Sequence, residues 1–246
     1  AEIDYSLQLD NEATHSVLVH IEHKNCPAAV SALNKGIANR QRAILLMAGS
    51  MYEQGLCLKQ DWDQAAQYYQ LAHEAGNRDA LPRLIAGYAE KNRDPAAALW
   101  WLAQSKRTVS AACASANELV KDPDAFVAAL NSWPKGQIAA CTYAAGVLMR
   151  ISGETEFPGG AHEGVSGDAV MNFVPATGTI TWTQGDTDRI TVSRLMTPGS
   201  SEHTVFKDRF LSHMTTISER TLKQFVRPEG IDPAWTIKLT MHFYFD

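Results

Sequence analysis

Gly49-Ser-Met-Tyr52-Glu-Gln-Gly55-Leu-Cys57-Leu-Lys-Gln-Asp61-Trp62-Asp-Gln-Ala65-Ala-Gln-Tyr68-Tyr69-Gln-Leu-Ala72-His-Glu-Ala-Gly76-Asn-Arg-Asp-Ala80 decides the fold of the first part of this chain. The spacing predicts two short helices joined by a glycine-containing turn. Small residues recur where two helices meet, because an alanine at a seam lets backbones approach and an aromatic one turn on fills the wedge beside it. The arrangement partly returns downstream. Asp61, Ala65 and Tyr68 share their spacing with Asp94, Ala98 and Trp101, while Ala80, Leu84 and Tyr88 supply the first helix of that next unit. A recurring helix pair is the mark of a scaffold, and such scaffolds usually bind other proteins.

Gly49, Tyr52, Gly55, Asp61, Ala65, Tyr68, Tyr69, Ala72 and Gly76 make the 44–79 unit resemble the Sel-like repeats, relatives of the tetratricopeptide repeats. Cys57 stands where that family usually has its second loop glycine, and the following unit has a shorter loop. Asn25-Cys-Pro-Ala-Ala29 and Asp124-Ala-Phe-Val-Ala128 look like degenerate flanking units. The clear resemblance covers roughly a quarter of the chain, and about three fifths with the degenerate units. It implies an all-α helical repeat, an α-solenoid, over residues 1–151.

Within a Sel-like solenoid the second helix of one unit lies antiparallel to the first helix of the next. That relation implies that Cys26, at the start of a second helix, and Cys57, after the next first helix, share one end of the solenoid. Cys113 and Cys141 would both lie early in successive first helices. Disulfides Cys26–Cys57 and Cys113–Cys141 are the pairings this implies, provided the Cα atoms come within about 7 Å. The alternative is that each cysteine replaces alanine or glycine at a tight seam. Disulfides would mean an oxidising compartment. With no lysine-led apolar leader at the start, the expectation is a mature periplasmic protein whose signal peptide has been removed.

Around 152–167 the composition changes to Ser-Gly-Glu154-Thr-Glu156-Phe-Pro-Gly-Gly-Ala-His-Glu163-Gly, which predicts a linker without helical period. Beyond it, over 168–246, the period is that of strands. Ala169–Val174, Thr179–Thr183 and Ile190–Leu195 are separated by turn residues. A long helix over Val205–Val226 follows from Phe206, Phe210, Met214, Ile217, Leu222 and Phe225. Trp235–Phe245 alternates, with Trp235, Ile237, Leu239, Met241, Phe243 and Phe245 on one face, as a half-buried antiparallel strand packed on the helix does. The expected fold class is therefore a helical repeat region followed by a small α+β domain with an antiparallel sheet.

The residues Gly167-Asp-Ala-Val-Met-Asn-Phe173, Gly178-Thr-Ile180, Val192-Ser with Gly199-Ser-Ser, and Phe243-Tyr-Phe245 give this second region a resemblance to the TonB carboxy-terminal domain. That resemblance implies the fold and an edge strand able to pair with a partner. The family's transmembrane anchor and proline-rich stalk have no counterpart in this sequence, so energy transduction is not carried over.

A net charge of −5 and the lack of a Lys/Arg cluster argue against nucleic acid. No apolar run reaches the length of a membrane span. His20-Ile-Glu22-His23 puts two imidazoles one turn apart, but without a third ligand in a motif the expectation is a solvated helix face and no metal. His203, His213 and His242, with Glu202 and Glu219, have spacings that define no site. Ser200-Ser201-Glu202-His203 lacks a nucleophile elbow and leads into a helix start. Walker, dinucleotide and Cys-x-x-Cys motifs are missing, so no cofactor and no catalysis are expected.

Tyr52, Tyr68, Tyr69, Trp100 and Trp101 are expected in the repeat core. Trp62, between Asp61 and Asp63, is the aromatic candidate for a partly exposed anchor projecting from a helix start at a protein interface, against a core role of at least equal weight. Glu154, Glu156 and Glu163 are the acidic candidates for insertion into a basic cleft, against the plainer reading of a solvated acidic loop. The function this favours is a non-catalytic periplasmic protein-binding protein, most specifically an immunity protein. It would neutralise a secreted, phospholipase-like type VI effector by occluding its active site, a role the Sel-like resemblance allows. The alternatives are an envelope assembly or TonB-like adaptor and, from another class, a hydrolase using the second domain.

Overall fold

The computed structural model of the chain describes residues 5–115, 121–153, 165–185 and 201–245, with the backbone alone at 5–11, 165–167, 201–210 and 242–245. The chain divides into two compact units, Ala1–Gly87 and Tyr88–Asp246.

The first unit is a succession of helices: α1 (Tyr5–Glu22), α2 (Cys26–Ala38), α3 (Arg42–Gln54), α4 (Trp62–Glu74) and the greater part of α5 (Ala80–Ala89). Local chemistry sets their ends. Asn25 caps α2 by accepting from the Ala28 N–H, and Pro27 occupies the first turn, where no intrahelical donor is lost. α3 stops at Gly55, whose φ of 70° lies in the left-handed region that a glycine enters without penalty. Asp61 restarts the helix by accepting from Gln64 N–H at 3.1 Å. α1 packs on α2, α3 packs on α4, and both α1 and α2 reach α3. Val17, Ala29, Leu33, Ile44, Ala48 and Met51 form the buried core of the first three helices.

Alanines and glycines at the seams set how closely the helices approach. Ala65, Ala72 and Tyr69 of α4 are fully buried, and a Cβ placed on Gly49 of α3 would lie 2.5 Å from the Tyr69 ring. Gly49 thus leaves the space that the ring occupies. The helices match the expected helical region.

In the second unit, α6 (Pro95–Gln104), α7 (Pro123–Leu130) and α8 (Gln137–Gly153) precede strands β1 (Val165–Val174) and β2 (Thr179–Gln184), helix α9 (Ser201–Leu222) and strand β3 (Ile237–Phe245). Asp94 and Asp122 cap α6 and α7, each followed by a proline. The sheet is antiparallel with order β2-β1-β3. At its centre Met171 lies opposite Trp182 on one side and Leu239 on the other, and Phe173 lies between Ile180 and Ile237. Because side chains alternate across a strand, these residues share one face. Ala169, Met171 and Phe173 are fully buried there.

Two helices cover that face. Tyr143 of α8 meets Phe173 edge-on, with centroids 5.9 Å apart. Trp182 donates its indole N–H to Ser218 Oγ of α9 at 2.8 Å, and Ser218 donates onward to the Met214 carbonyl at 2.7 Å. Phe225 lies in the turn after α9, where its ring fits against Gly146: a Cβ on that glycine would be 2.5 Å from it.

By internal contacts α6, α7 and α8 fall in the same compact unit as the sheet. The reason is visible in α8, where every residue from Cys141 to Ile151 is buried. A helix covered on all sides lies in the interior of its unit. Arg150 of this helix pairs with Glu90 at 2.9 Å inside the same unit. The long helix begins at Ser201 and ends at Leu222, one turn earlier at each end than expected, and Phe225 is a loop residue. Cys113 sits in a 3₁₀ turn, Ala111–Cys113, and not in a helix. Trp235 precedes β3 and donates to the Val109 carbonyl at 3.2 Å. The expected strand 190–195 lies outside the described residues.

Candidate interaction surface

Trp62 is the first residue of α4, placed there by the Asp61 cap. It is half-buried, and its six-membered ring lies so close to Gly87 that a Cβ there would be 1.9 Å away. On its other side it meets Tyr69 at 6.3 Å and a 52° tilt. The side chain thus packs on α5 while staying part-exposed.

Tyr69 is held by a polar chain through three helices. Its hydroxyl donates to Glu53 Oε2 of α3 at 2.5 Å and lies 3.3 Å from Ser50 Oγ. Arg83 Nη1 of α5 donates to Ser50 Oγ at 2.8 Å. The phenol has one proton, which the short contact gives to Glu53, so Ser50 can return its own proton to the phenol oxygen. Burial, and next the Glu53 carboxylate, push the Tyr69 hydroxyl far above its ordinary value of 10.0. With Tyr69 fully buried and Ser50 accepting from a guanidinium, these atoms tie α3, α4 and α5 together. A serine oxygen that accepts from arginine has reduced nucleophilicity, so this constellation does not make Ser50 an attacking group.

A second aromatic pair is part-exposed as well. Tyr52 of α3 and Tyr68 of α4 stack with centroids 5.6 Å apart and only 8° between planes, and both are half-buried. Burial, then the neighbouring Tyr52, raises the Tyr68 hydroxyl. Leu56, 40% exposed in the loop after α3, and Leu71, 37% exposed on α4, add apolar surface on the same two elements. No protein-family model, curated protein or solved structure matches the chain.

Tyr68 packs against the buried clusters of the first unit, in keeping with the core expectation, but stays part-exposed, as Tyr52 does. Adjacent helical residues such as Tyr68 and Tyr69 point about 100° apart, so a narrow seam cannot fully bury both. That geometric signal was present in the sequence. Glu154, Glu156 and Glu163 lie outside the described residues. All four cysteines are paired, Cys26 with Cys57 and Cys113 with Cys141, at Cα separations of 5.0 and 5.6 Å.

His20 is half-buried near the end of α1, whereas His23 is exposed and bonded through Nδ1 to the Val19 carbonyl at 2.7 Å. Among the described residues no three His, Cys, Asp or Glu side chains converge as a metal site would require. Ser201 and His203 fall in the first turn of α9, with side chains outside the description. Among the described residues no helix is long and apolar enough to cross a membrane.

Proposed function

We propose that this chain is a non-catalytic, periplasmic protein-binding protein, and most specifically an immunity protein that neutralises a secreted, phospholipase-like effector by occluding its active site. The observation that carries this reading is the helix-pair unit with the stacked tyrosines Tyr52 and Tyr68 part-exposed on its surface. Tyrosine supplies large, rigid contact area with a polar tip, the chemistry favoured at the centre of protein interfaces. The resemblance of 44–79 to Sel-like repeats supports the same class, since helix-pair scaffolds present curved binding surfaces. Paired cysteines support an oxidising compartment, and within that class the periplasm is the proposal. A net charge of −5 favours approach to a basic cleft, speeding association more than it strengthens the final complex.

The test is survival of cells that direct the neighbouring effector to their own periplasm, with and without this protein. Protection, together with co-purification of the effector, is the expected result. Tyr68→Ala should weaken the complex by about 2 kcal/mol or more, as truncation of a central aromatic anchor commonly does. Failure to bind any neighbouring effector, with capture of an envelope component instead, would replace this reading by the adaptor. That second reading draws on the sheet order β2-β1-β3, in which β3 lies at the end of the described sheet.

A further inference from the structure

One side of α8 is crossed by a strap, residues 107–113, which follows α6 and ends in the 3₁₀ turn Ala111–Cys113. Arg107 Nη1 lies 4.0 Å from Met149 Sδ, the Ala112 carbonyl accepts from Gln137 Nε2, and Cys113 is bonded to Cys141. Gln137, Cys141 and Met149 differ by multiples of four, so they follow one inclined row along a single side of the helix. The strap therefore runs antiparallel to α8. Cys141 and Met149 are about 12 Å apart along the axis, at about 1.5 Å per residue. The chain from Arg107 to Cys113 reaches at most about 20 Å, enough to cover that distance and still make the closing turn. At its middle the Val109 carbonyl accepts from the Trp235 indole at 3.2 Å. Val109 and Cys113 of the strap are buried, whereas Arg107, Thr108, Ala111 and Ala112 are exposed. Ordering such a segment costs more conformational freedom than one buried valine and those neutral hydrogen bonds offset. The covalent bond makes up the difference.

We propose that Cys113–Cys141 is a redox latch: the strap closes over α8 when the bridge forms and lifts when the bridge is reduced. Closing joins the two Sγ atoms. The two thiols give up two protons and two electrons to a disulfide oxidant, which is itself reduced to two thiols. Once closed, the bridge is shielded, with Cys113 8% and Cys141 1% exposed, so a reducing thiol reaches the sulfurs only through local opening. The latch acts locally, because the other attachments of α8 do not involve the strap. Tyr143 is held by Phe173 of β1, and Gly146 by Phe225 in the turn after α9. In a reducing compartment the chain thus carries an open strap and an uncovered flank of α8; in an oxidising one the strap is fixed shut.

The experiment follows amide hydrogen exchange of the full chain by peptide mass spectrometry. The double variant Cys26→Ser, Cys57→Ser keeps the latch as its single bridge. It is read oxidised, after prolonged dithiothreitol, and after reoxidation with oxidised glutathione, with the state of the bridge checked by mass. Reduction should speed exchange over 105–115 on the order of tenfold or more, as loss of a local tether does, and leave 169–174 of β1 unchanged. Reoxidation should restore protection in step with the bridge. Cys113→Ser, Cys141→Ser in the otherwise native chain should show the same local pattern permanently, which decides the matter if the first variant does not fold or resists reduction. Equal protection of 105–115 with and without the bridge would overturn the latch, since the strap would then stay down unaided. Loss of protection in β1 together with the strap would overturn it too, because the bridge would then hold up the whole unit.

Discussion

Replacing Tyr69 by phenylalanine removes one oxygen from a fully buried ring and leaves the ring itself in place against Gly49 and Trp62. What is lost is the 2.5 Å bond to the Glu53 carboxylate and the 3.3 Å contact with Ser50. A hydrogen bond to a charged group contributes about 1.5–3 kcal/mol, and part-exposed Glu53 can recover some solvation from water. The expected loss at neutral pH is therefore about 2 kcal/mol. The variant also removes a source of pH dependence. The Tyr69 hydroxyl is raised in the folded chain by burial and then by Glu53, whereas in the unfolded chain it ionises near 10.0. Above that pH the unfolded state loses the proton first. This group's contribution to stability is thus complete below the unfolded value and declines as pH rises toward the folded one, by about 1.4 kcal/mol per pH unit. Urea unfolding of both proteins, followed by circular dichroism at pH 7, 10 and 11, measures both effects. The wild-type advantage should be largest at neutral pH and shrink above pH 10. A phenylalanine variant as stable as wild type at pH 7, or a gap that does not change with alkali, would refute the network.

Gly49→Ala should destabilise the first unit by about 1–2 kcal/mol in urea unfolding. Overpacking against the Tyr69 ring, 2.5 Å from the added carbon, outweighs the gain in helix propensity. Trp182→Phe leaves buried Ser218 without its indole donor and should cost about 1–3 kcal/mol, with Ser218→Ala in the same background adding little in a double-mutant cycle. The unreduced, urea-unfolded protein should show no reactive thiols to a colorimetric reagent, and four after reduction. Four thiols before reduction would remove both bridges and the oxidising compartment with them.

Much of the local structure was legible because it depends on neighbours in sequence. Asp61, Asp94 and Asp122 act as caps within three residues of themselves, and Gly55 ends α3 by its own backbone freedom. Alternation along 237–241 placed Ile237, Leu239 and Met241 on one side of β3, and the cross-strand register agrees. The expected cysteine partners are those of the structure, although Cys113 lies in a 3₁₀ turn and not, as the repeat resemblance implies, early in a first helix. Trp62 was harder to place. Whether its ring stands in solvent depends on Gly87, 25 residues away, and no local pattern encodes that approach. The Tyr52–Tyr68 stack likewise needs α3 and α4 to meet at one angle.

The sequence by itself determined which segments are helical or extended, several of their caps, which faces are apolar, the net charge, and the even count of cysteines, since each is a property of composition or short-range period. Tertiary structure alone decided the division of the chain. α8 has an ordinary helical sequence, but it is buried throughout 141–151 because Phe173 of β1 meets its Tyr143 and Phe225 beyond α9 fits its Gly146. Those contacts span 30 and 79 residues, from 143 to 173 and from 146 to 225. Burial by distant partners is an outcome of the whole packing arrangement, so it leaves no mark on the local period. The same reason makes Tyr69 a fully buried tie and leaves its neighbour Tyr68 half-buried against the core, although the two side chains are chemically identical and adjacent in the chain.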